Sequence, residues 1–129
     1  MRTDLGRSRN SLVSMLSVAA LAAVFAQPVG AHAYLDRALP VVGSVVRESP
    51  KELTLWFTQR IEPSFSEVRV LDPSGKRIDD GKAHVDAGDG KTLRVSLPKL
   101  APGAYRVKWR VLSVDTHVSE GEFTFDVAR

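Results

Sequence analysis

The sequence predicts an all-β domain of about seven strands, built as two antiparallel sheets packed face to face and preceded by a cleaved leader. Three observations predict this fold. Apolar and polar residues alternate in several separate runs, which is the pattern of half-buried strands. These runs recur at intervals of roughly 10 to 15 residues, with turn residues between them. A helical spacing of apolar residues nowhere lasts more than one turn, so the strands must bury their apolar faces against a second sheet.

The first 31 residues have the order of a secretory signal peptide. Arg2, Arg7 and Arg9 precede an apolar run over residues 12–26, and small residues follow it. The run is shorter than the roughly 20 apolar residues that a spanning helix needs, so a retained membrane anchor is the weaker alternative. We therefore expect a signal peptide over residues 1–31 and an exported domain over residues 32–129, in the periplasm or at the cell surface.

The cleavage site has two candidates within a short row of small residues. Cleavage after Ala31 would make His32 the first residue of the mature chain, whereas cleavage after Ala33 would discard that histidine. Sequence rules alone do not decide between the two sites.

Composition argues against a nucleic-acid-binding protein and against a disulfide-stabilised one. The leader holds three of the 18 basic and one of the 15 acidic residues, which leaves 15 against 14 and a net charge near +1 for the mature domain. No basic stripe with interleaved aromatic residues is present, which argues against nucleic acid as a partner. The chain has no cysteine, so the domain must be stabilised by its core instead of by disulfides. We expect the domain to be a monomer.

The strands are predicted in chain order from their alternation. Pro40 and Gly43 interrupt the segment after Leu35, which indicates an irregular strand or loop along a sheet edge. Residues 72–75, Asp-Pro-Ser-Gly, predict a turn, and the polar residues 79–90 predict a loop with a short strand over 83–85. The alternating strands present inward apolar residues as follows: Leu53, Leu55, Phe57; Val68, Val70; Leu93, Val95, Leu97; Tyr105, Val107, Trp109, Val111; Phe123, Phe125, Val127.

Asp115 and His117 are the first candidate metal ligands. They lie between two strands that should pair as neighbours, and in an extended backbone residues i and i+2 leave the same face. If cleavage exposes His32, that residue adds its α-amine and its ring nitrogen. Such a nitrogen and oxygen donor set suits Cu(II), with Zn(II) as the competitor.

Other chemistry is less well supported by the residues. Cu(I) prefers sulfur ligands, but Met1 and Met15 both lie in the leader, so no Cu(I) site is expected. An isolated Asp-x-His is also common as a turn with a solvated histidine. His84 is expected to lie in an exposed loop, and Trp56 and Trp109 are expected at core or near-core positions.

The mature sequence resembles the CopC-type copper-binding proteins of bacterial periplasms and cell surfaces. The most specific part is PGAYRVKWRVLSVDTHVSEGEFTFDV, residues 102–127, and a less sharp match is FTQRIEPSFSEVRVLDPSGKRI, residues 57–78. The resemblance implies an immunoglobulin-like Greek-key sandwich or barrel. It also implies one Cu(II) per mature chain, bound by His32 through its amine and ring, by Asp115 and by His117.

The same resemblance implies a role in copper homeostasis, resistance or uptake, often beside a CopD-type inner-membrane copper transporter. The sequence departs from the family pattern at one residue and in one loop. Val118 stands where the family usually has proline, which changes the stiffness of the loop without removing a ligand. The methionine-rich loop that gives some members a Cu(I) site is absent, so the chain resembles the Cu(II)-only kind.

Three functions follow from these observations. The first is an exported Cu(II) carrier or buffer without catalysis of its own. The second is a copper-dependent oxidative enzyme, because an N-terminal histidine with a second histidine resembles the copper brace of lytic polysaccharide monooxygenases. Asp115 would fill a position that oxygen chemistry needs open, which favours the carrier. The third is a structural or adhesive sandwich module that binds no metal.

Overall fold

Two four-stranded β-sheets form the domain in the computed structural model, which describes residues 32–129. The predicted signal peptide lies outside the described residues. The strands are β1 (Leu35–Leu39), β2 (Val45–Val46), β3 (Glu52–Phe57), β4 (Glu67–Leu71), β5 (His84–Val85), β6 (Thr92–Ser96), β7 (Gly103–Leu112) and β8 (Val118–Val127), with a 3₁₀ turn at Pro63–Phe65. The all-β sandwich prediction is confirmed. The described residues contain eight strands, compared with about seven predicted. Two of the eight, β2 and β5, have only two residues each and lie at sheet edges.

The first sheet has the order β1-β3-β6-β5 and the second the order β2-β8-β7-β4. All pairings are antiparallel as predicted except that of β2 with β8, which is parallel. After β1 the chain leaves the edge of the first sheet and crosses to the edge of the second, where β2 runs in the same direction as β8. Gly43 anchors this crossing by donating its backbone N–H to the carbonyl of Thr124 at 2.8 Å.

The core lies between the sheets and consists of the inward residues of the alternating strands. Its buried apolar members are Ala33, Ala38, Leu53, Leu55, Phe57, Ile61, Val68, Val70, Leu93, Val95, Leu97, Leu100, Tyr105, Val107, Val111, Phe123, Phe125 and Val127. Nearly every alternating residue that the sequence assigned inward is among them. Burial of such side chains stabilises a fold by about 1.5 to 3 kcal/mol each relative to full exposure.

The two tryptophans differ in position. Trp109 is half-buried against the core, with its ring in edge contact with Phe57 at 5.2 Å between centroids. Trp56 lies on the outer face of the first sheet, where the guanidinium of Arg37 stacks 4.0 Å above its ring. The prediction of a core or near-core position is therefore confirmed for Trp109 and wrong for Trp56. In the alternation of β3, Trp56 shares its face with Glu52 and Thr54 instead of with Leu55.

The strand directions bring distant parts of the chain to one end of the sandwich. Leu35 at the start of β1 pairs with Phe57 at the end of β3, and the β7–β8 hairpin closes at the Leu112–Val118 pair. Ile61, shortly after β3, forms a bridge with Ser113, shortly after β7, which joins these two regions. Within residues 32–129, no helix has the length and apolar character to cross a membrane.

Candidate metal centre

The turn between β7 and β8 holds two of the predicted ligands. The strands pair in continuous register up to Leu112 and Val118, which leaves residues 113–117 to reverse the chain. Two backbone hydrogen bonds close this turn: Ser113 N–H to the carbonyl of His117 at 2.9 Å, and Thr116 N–H to the carbonyl of Ser113 at 2.9 Å. Thr116 has φ 73°, so the turn has the pattern of a three-residue hairpin loop that ends in a left-handed residue.

The expectation of an extended backbone from Asp115 to His117 is therefore wrong. The hairpin register continues to the very end of both strands, so the remaining residues can only form a tight turn. The turn still brings the two side chains together, because Oδ1 of Asp115 lies 3.3 Å from Nδ1 of His117. Two donors bound to adjacent positions of one ion, each at about 2 Å from it, are separated by about 3 Å. The pair could bind one ion with little movement.

Ser113 connects both of these residues, and sequence reasoning gave it no role. Its side chain is fully buried, and its hydroxyl hydrogen-bonds to Oδ1 of Asp115. The same oxygen lies 3.1 Å from the carbonyl of His117 and accepts the backbone N–H of His117 at 3.3 Å. A serine two residues before an aspartate in a hairpin turn is the signal that could have indicated this role, because serine hydroxyls often bond locally in turns.

The charge of Asp115 is favoured by its neighbours. The hydroxyl of Ser113, and then His117, lower the pKa of the Asp115 carboxyl below its ordinary value. The group is consequently ionised at neutral pH, as a metal ligand must be.

The third predicted ligand, His32, approaches from the start of the described chain. Tyr34 donates its N–H to the hydroxyl of Thr58 at 3.0 Å, and Thr58 donates its N–H to the carbonyl of Tyr34 at 2.9 Å. Ala33 is fully buried in the core. These contacts fix the backbone next to His32, whose ring lies 4.6 Å from the ring of His117 between centroids, at an interplanar angle of 73°.

The three residues predicted as ligands are therefore neighbours, although they are some eighty residues apart in sequence. His32 contacts His117, and His117 contacts Asp115. No three His, Cys, Asp or Glu side chains in the described part of the chain form a ready cluster around one point. The two imidazoles instead meet edge to face. The nitrogen of His32 is a peptide nitrogen while Ala31 precedes it, so it becomes an amine donor only when that peptide bond is cleaved.

A comparison with protein families identifies the relatives of this chain. The CopC domain family matches residues 35–128. This chain belongs to the CopC family. Among its relatives, YobA of Escherichia coli strain K12 is 37% identical over 100 residues, which cover 77% of this chain and 81% of YobA.

Two further relatives extend the comparison. A protein named copper resistance protein C, from Xanthomonas campestris pv. juglandis, is 36% identical over 103 residues, covering 75% of this chain and 80% of that protein. The crystal structure of CopC from Methylosinus trichosporium OB3b is similar with a TM-score of 0.71 and 39% identity, covering 75% of this chain and 94% of the other. The sandwich fold of this CopC-family member thus agrees with that of a solved relative.

His84, the remaining histidine of the sequence, lies on the edge strand β5, opposite Arg94 of β6. Its side chain is exposed, as expected, and the residue belongs to the short strand that the sequence predicts within this loop. Arg94 also approaches Asp86 at 3.9 Å and Glu52 at 3.0 Å, so a cation occupies the middle of this polar cluster. A fixed guanidinium opposes metal binding there.

Proposed function

We propose that this CopC-family protein is exported and binds one Cu(II) per mature chain, and that it carries or buffers copper without catalysing a reaction. The observation that carries the proposal is the contact of His32 with His117, which itself lies beside Asp115. In the mature chain, the donors would be the amine and ring of His32, the ring of His117 and the carboxylate of Asp115. Mixed nitrogen and oxygen donors without sulfur suit Cu(II).

The proposal requires cleavage after Ala31, and the packing of the following residues supports that position. Ala33 is fully buried, and Tyr34 exchanges two hydrogen bonds with Thr58. Cleavage before Tyr34 would remove a core residue as well as His32. Cleavage before His32 keeps both, and it leaves the new amine beside a segment that is already fixed by the sheet.

The cellular role follows from the relatives. A relative named copper resistance protein C is 36% identical to this chain, which supports a role in copper homeostasis, resistance or uptake. The leader supports a periplasmic or cell-surface location. A CopD-type membrane copper transporter is the partner that we propose to exchange copper with this chain.

The decisive experiment is a Cu(II) titration of residues 32–129 with a free N-terminus. Calorimetry measures the affinity, and mass spectrometry under native conditions measures the stoichiometry. We expect one Cu(II) per chain. His32→Ala, Asp115→Ala and His117→Ala should each weaken binding by at least tenfold, because each removes a donor. His84→Ala is the matched control and should bind as the unaltered chain does. Equal affinity in the His32 and His84 variants would contradict the proposal.

A second arm tests the amine separately from the ring. The same domain with the α-amine of His32 acetylated keeps the imidazole of His32 but converts its amine to an amide. We expect weaker Cu(II) binding and a changed visible absorption band, since one nitrogen donor is lost. Hydrogen peroxide and a polysaccharide substrate should yield no oxidised products with the copper-loaded chain. Turnover there would support the oxidative alternative instead.

A further inference from the structure

We infer that Ser113 is a positioning residue for the proposed Cu(II) site, where its hydroxyl holds the carboxylate of Asp115 in place beside His117 before the metal binds. The inference rests on the proposed function and adds to it a residue that is not itself a ligand.

The first step is that the hydroxyl is not the only group that closes the hairpin. Two closing hydrogen bonds join backbone groups, from Ser113 N–H to the carbonyl of His117 and from Thr116 N–H to the carbonyl of Ser113. An alanine at position 113 could make the same two bonds. The side chain, which is fully buried, instead directs its oxygen at Oδ1 of Asp115 and at the backbone of His117.

The second step concerns what Asp115 would do without this contact. Its side chain lies on an exposed turn, where a carboxylate would sample several rotamers. Fixing such a side chain at the moment of binding reduces the affinity by the entropy that is lost. Because the hydroxyl of Ser113 is buried and also contacts the backbone of His117, it can supply this order in advance.

The third step is that the contact leaves coordination capacity. A carboxylate has two oxygens with about four lone-pair directions in all, so accepting one hydroxyl does not prevent it from binding an ion. Ligand carboxylates in metal sites are commonly held by such outer hydrogen bonds, and their loss typically lowers metal affinity by 10- to 100-fold.

The chain contains a matched control for a buried hydroxyl bound to aspartate. Thr92, which is 1% exposed, donates its hydroxyl to Oδ2 of Asp89 at 2.6 Å, and Asp89 also accepts the N–H groups of Lys91 and Thr92. This pair joins the turn before β6 and includes none of the proposed ligands. Thr92→Val removes the hydroxyl with little change of shape.

The test is a double-mutant cycle on residues 32–129, with Cu(II) affinity and the electron paramagnetic resonance spectrum as readouts. Ser113→Ala should lower the affinity by 10- to 100-fold and alter the spectrum. In the Asp115→Asn background, the same substitution should have little further effect, because the two residues act as a unit. Thr92→Val should leave both readouts unchanged.

Several results would overturn the inference. One is an unchanged affinity and spectrum in Ser113→Ala. Another is an equal loss from Ser113→Ala in both backgrounds, since a purely structural role acts independently of Asp115. Ser113→Thr keeps the hydroxyl, so it provides a second test in case the alanine variant misfolds. Its spectrum should match that of the unaltered chain. A spectrum that instead matches that of Asp115→Asn would contradict the inference. Failure of the unaltered chain to bind Cu(II) would instead reject the proposed function, and the inference with it.

Discussion

Thr116, between the two proposed ligands of the hairpin turn, has an unfavourable backbone conformation. Its φ of 73° lies in the left-handed region, which a β-branched residue occupies at a cost of about 1 to 2 kcal/mol. Glycine is the usual residue there in a three-residue hairpin loop. The side chain of Thr116 is exposed, so its removal would lose little packing. The strain therefore belongs to the backbone of this one residue.

Thr116→Gly should consequently stabilise the metal-free chain. Relief of the left-handed strain outweighs the greater freedom of glycine in the unfolded state, which costs about 0.5 to 1 kcal/mol, so we expect a net gain of about 0.5 to 1 kcal/mol in the free energy of unfolding. Urea denaturation at pH 7 measures it. Thr116→Ala is the control and should gain less, because alanine keeps its Cβ. An alanine variant as stable as the glycine variant would rule out backbone strain as the cause.

At the scale of elements, the strands were predictable and the turn was not. Alternation alone indicates β3, β4, β6, β7 and β8, because each buries one face. The left-handed residue of the hairpin turn is a threonine, which gives no glycine signal, so the sequence predicts an extended segment there. Similarly, β2 has two residues and pairs with a strand at the other end of the sequence, which a local pattern cannot show.

The segment between β4 and β5 depends on one buried carboxylate. The side chain of Asp79 is 0% exposed. It accepts the N–H of Val70 at 2.8 Å, the N–H of Gly81 at 2.9 Å and the guanidinium of Arg77 at 2.9 Å. Burial raises the pKa of the Asp79 carboxyl, but these hydrogen bonds outweigh burial and hold that pKa below its ordinary value. The ionised carboxylate thus ties the segment to β4.

Asp79→Asn should lower the free energy of unfolding by about 2 kcal/mol at pH 7, since hydrogen bonds to a charged group contribute more than neutral ones. A lowered folded-state pKa gives stability that is present above the ordinary aspartate pKa of about 3.9 and is lost as the pH falls through the folded value. The difference between the two chains should therefore narrow at acidic pH, below about pH 4. Urea denaturation of both chains at pH 7 and below about pH 4 measures this difference in the free energy of unfolding.

Asp80→Asn provides the neighbouring control, because Asp80 is exposed and its side chain accepts the N–H of Lys82. Its effect should stay within about 0.5 kcal/mol at pH 7. A gap between the Asp79→Asn chain and the unaltered chain that stays constant from neutral to acidic pH would contradict the role assigned to the charge.

At the scale of the whole molecule, the candidate site joins the two halves of the sequence. The residues alone indicate the Asp115 and His117 pair and add His32 only if cleavage exposes it, whereas the resemblance to the CopC family implies all three as one ligand set. What brings them together is the packing of two sheets: β1 starts and the β7–β8 hairpin turns at the same end. That packing is a tertiary property, which alternation within single strands does not encode.

Binding that joins these two regions must stabilise the folded domain, because the unfolded chain cannot hold His32 beside residues 115–117. A ligand present at 100 times its dissociation constant stabilises the folded state by about 2.7 kcal/mol. For a domain of this size, about 1 kcal/mol shifts the melting temperature by roughly 4 to 8 °C, so saturating Cu(II) should raise it by about 10 to 20 °C. Thermal denaturation of residues 32–129 with and without Cu(II), followed by circular dichroism, measures the shift. The His32→Ala chain keeps the buried Ala33 and should show a much smaller shift. An equal shift in both chains would mean that copper binds elsewhere and that the two halves of the proposed site do not act together.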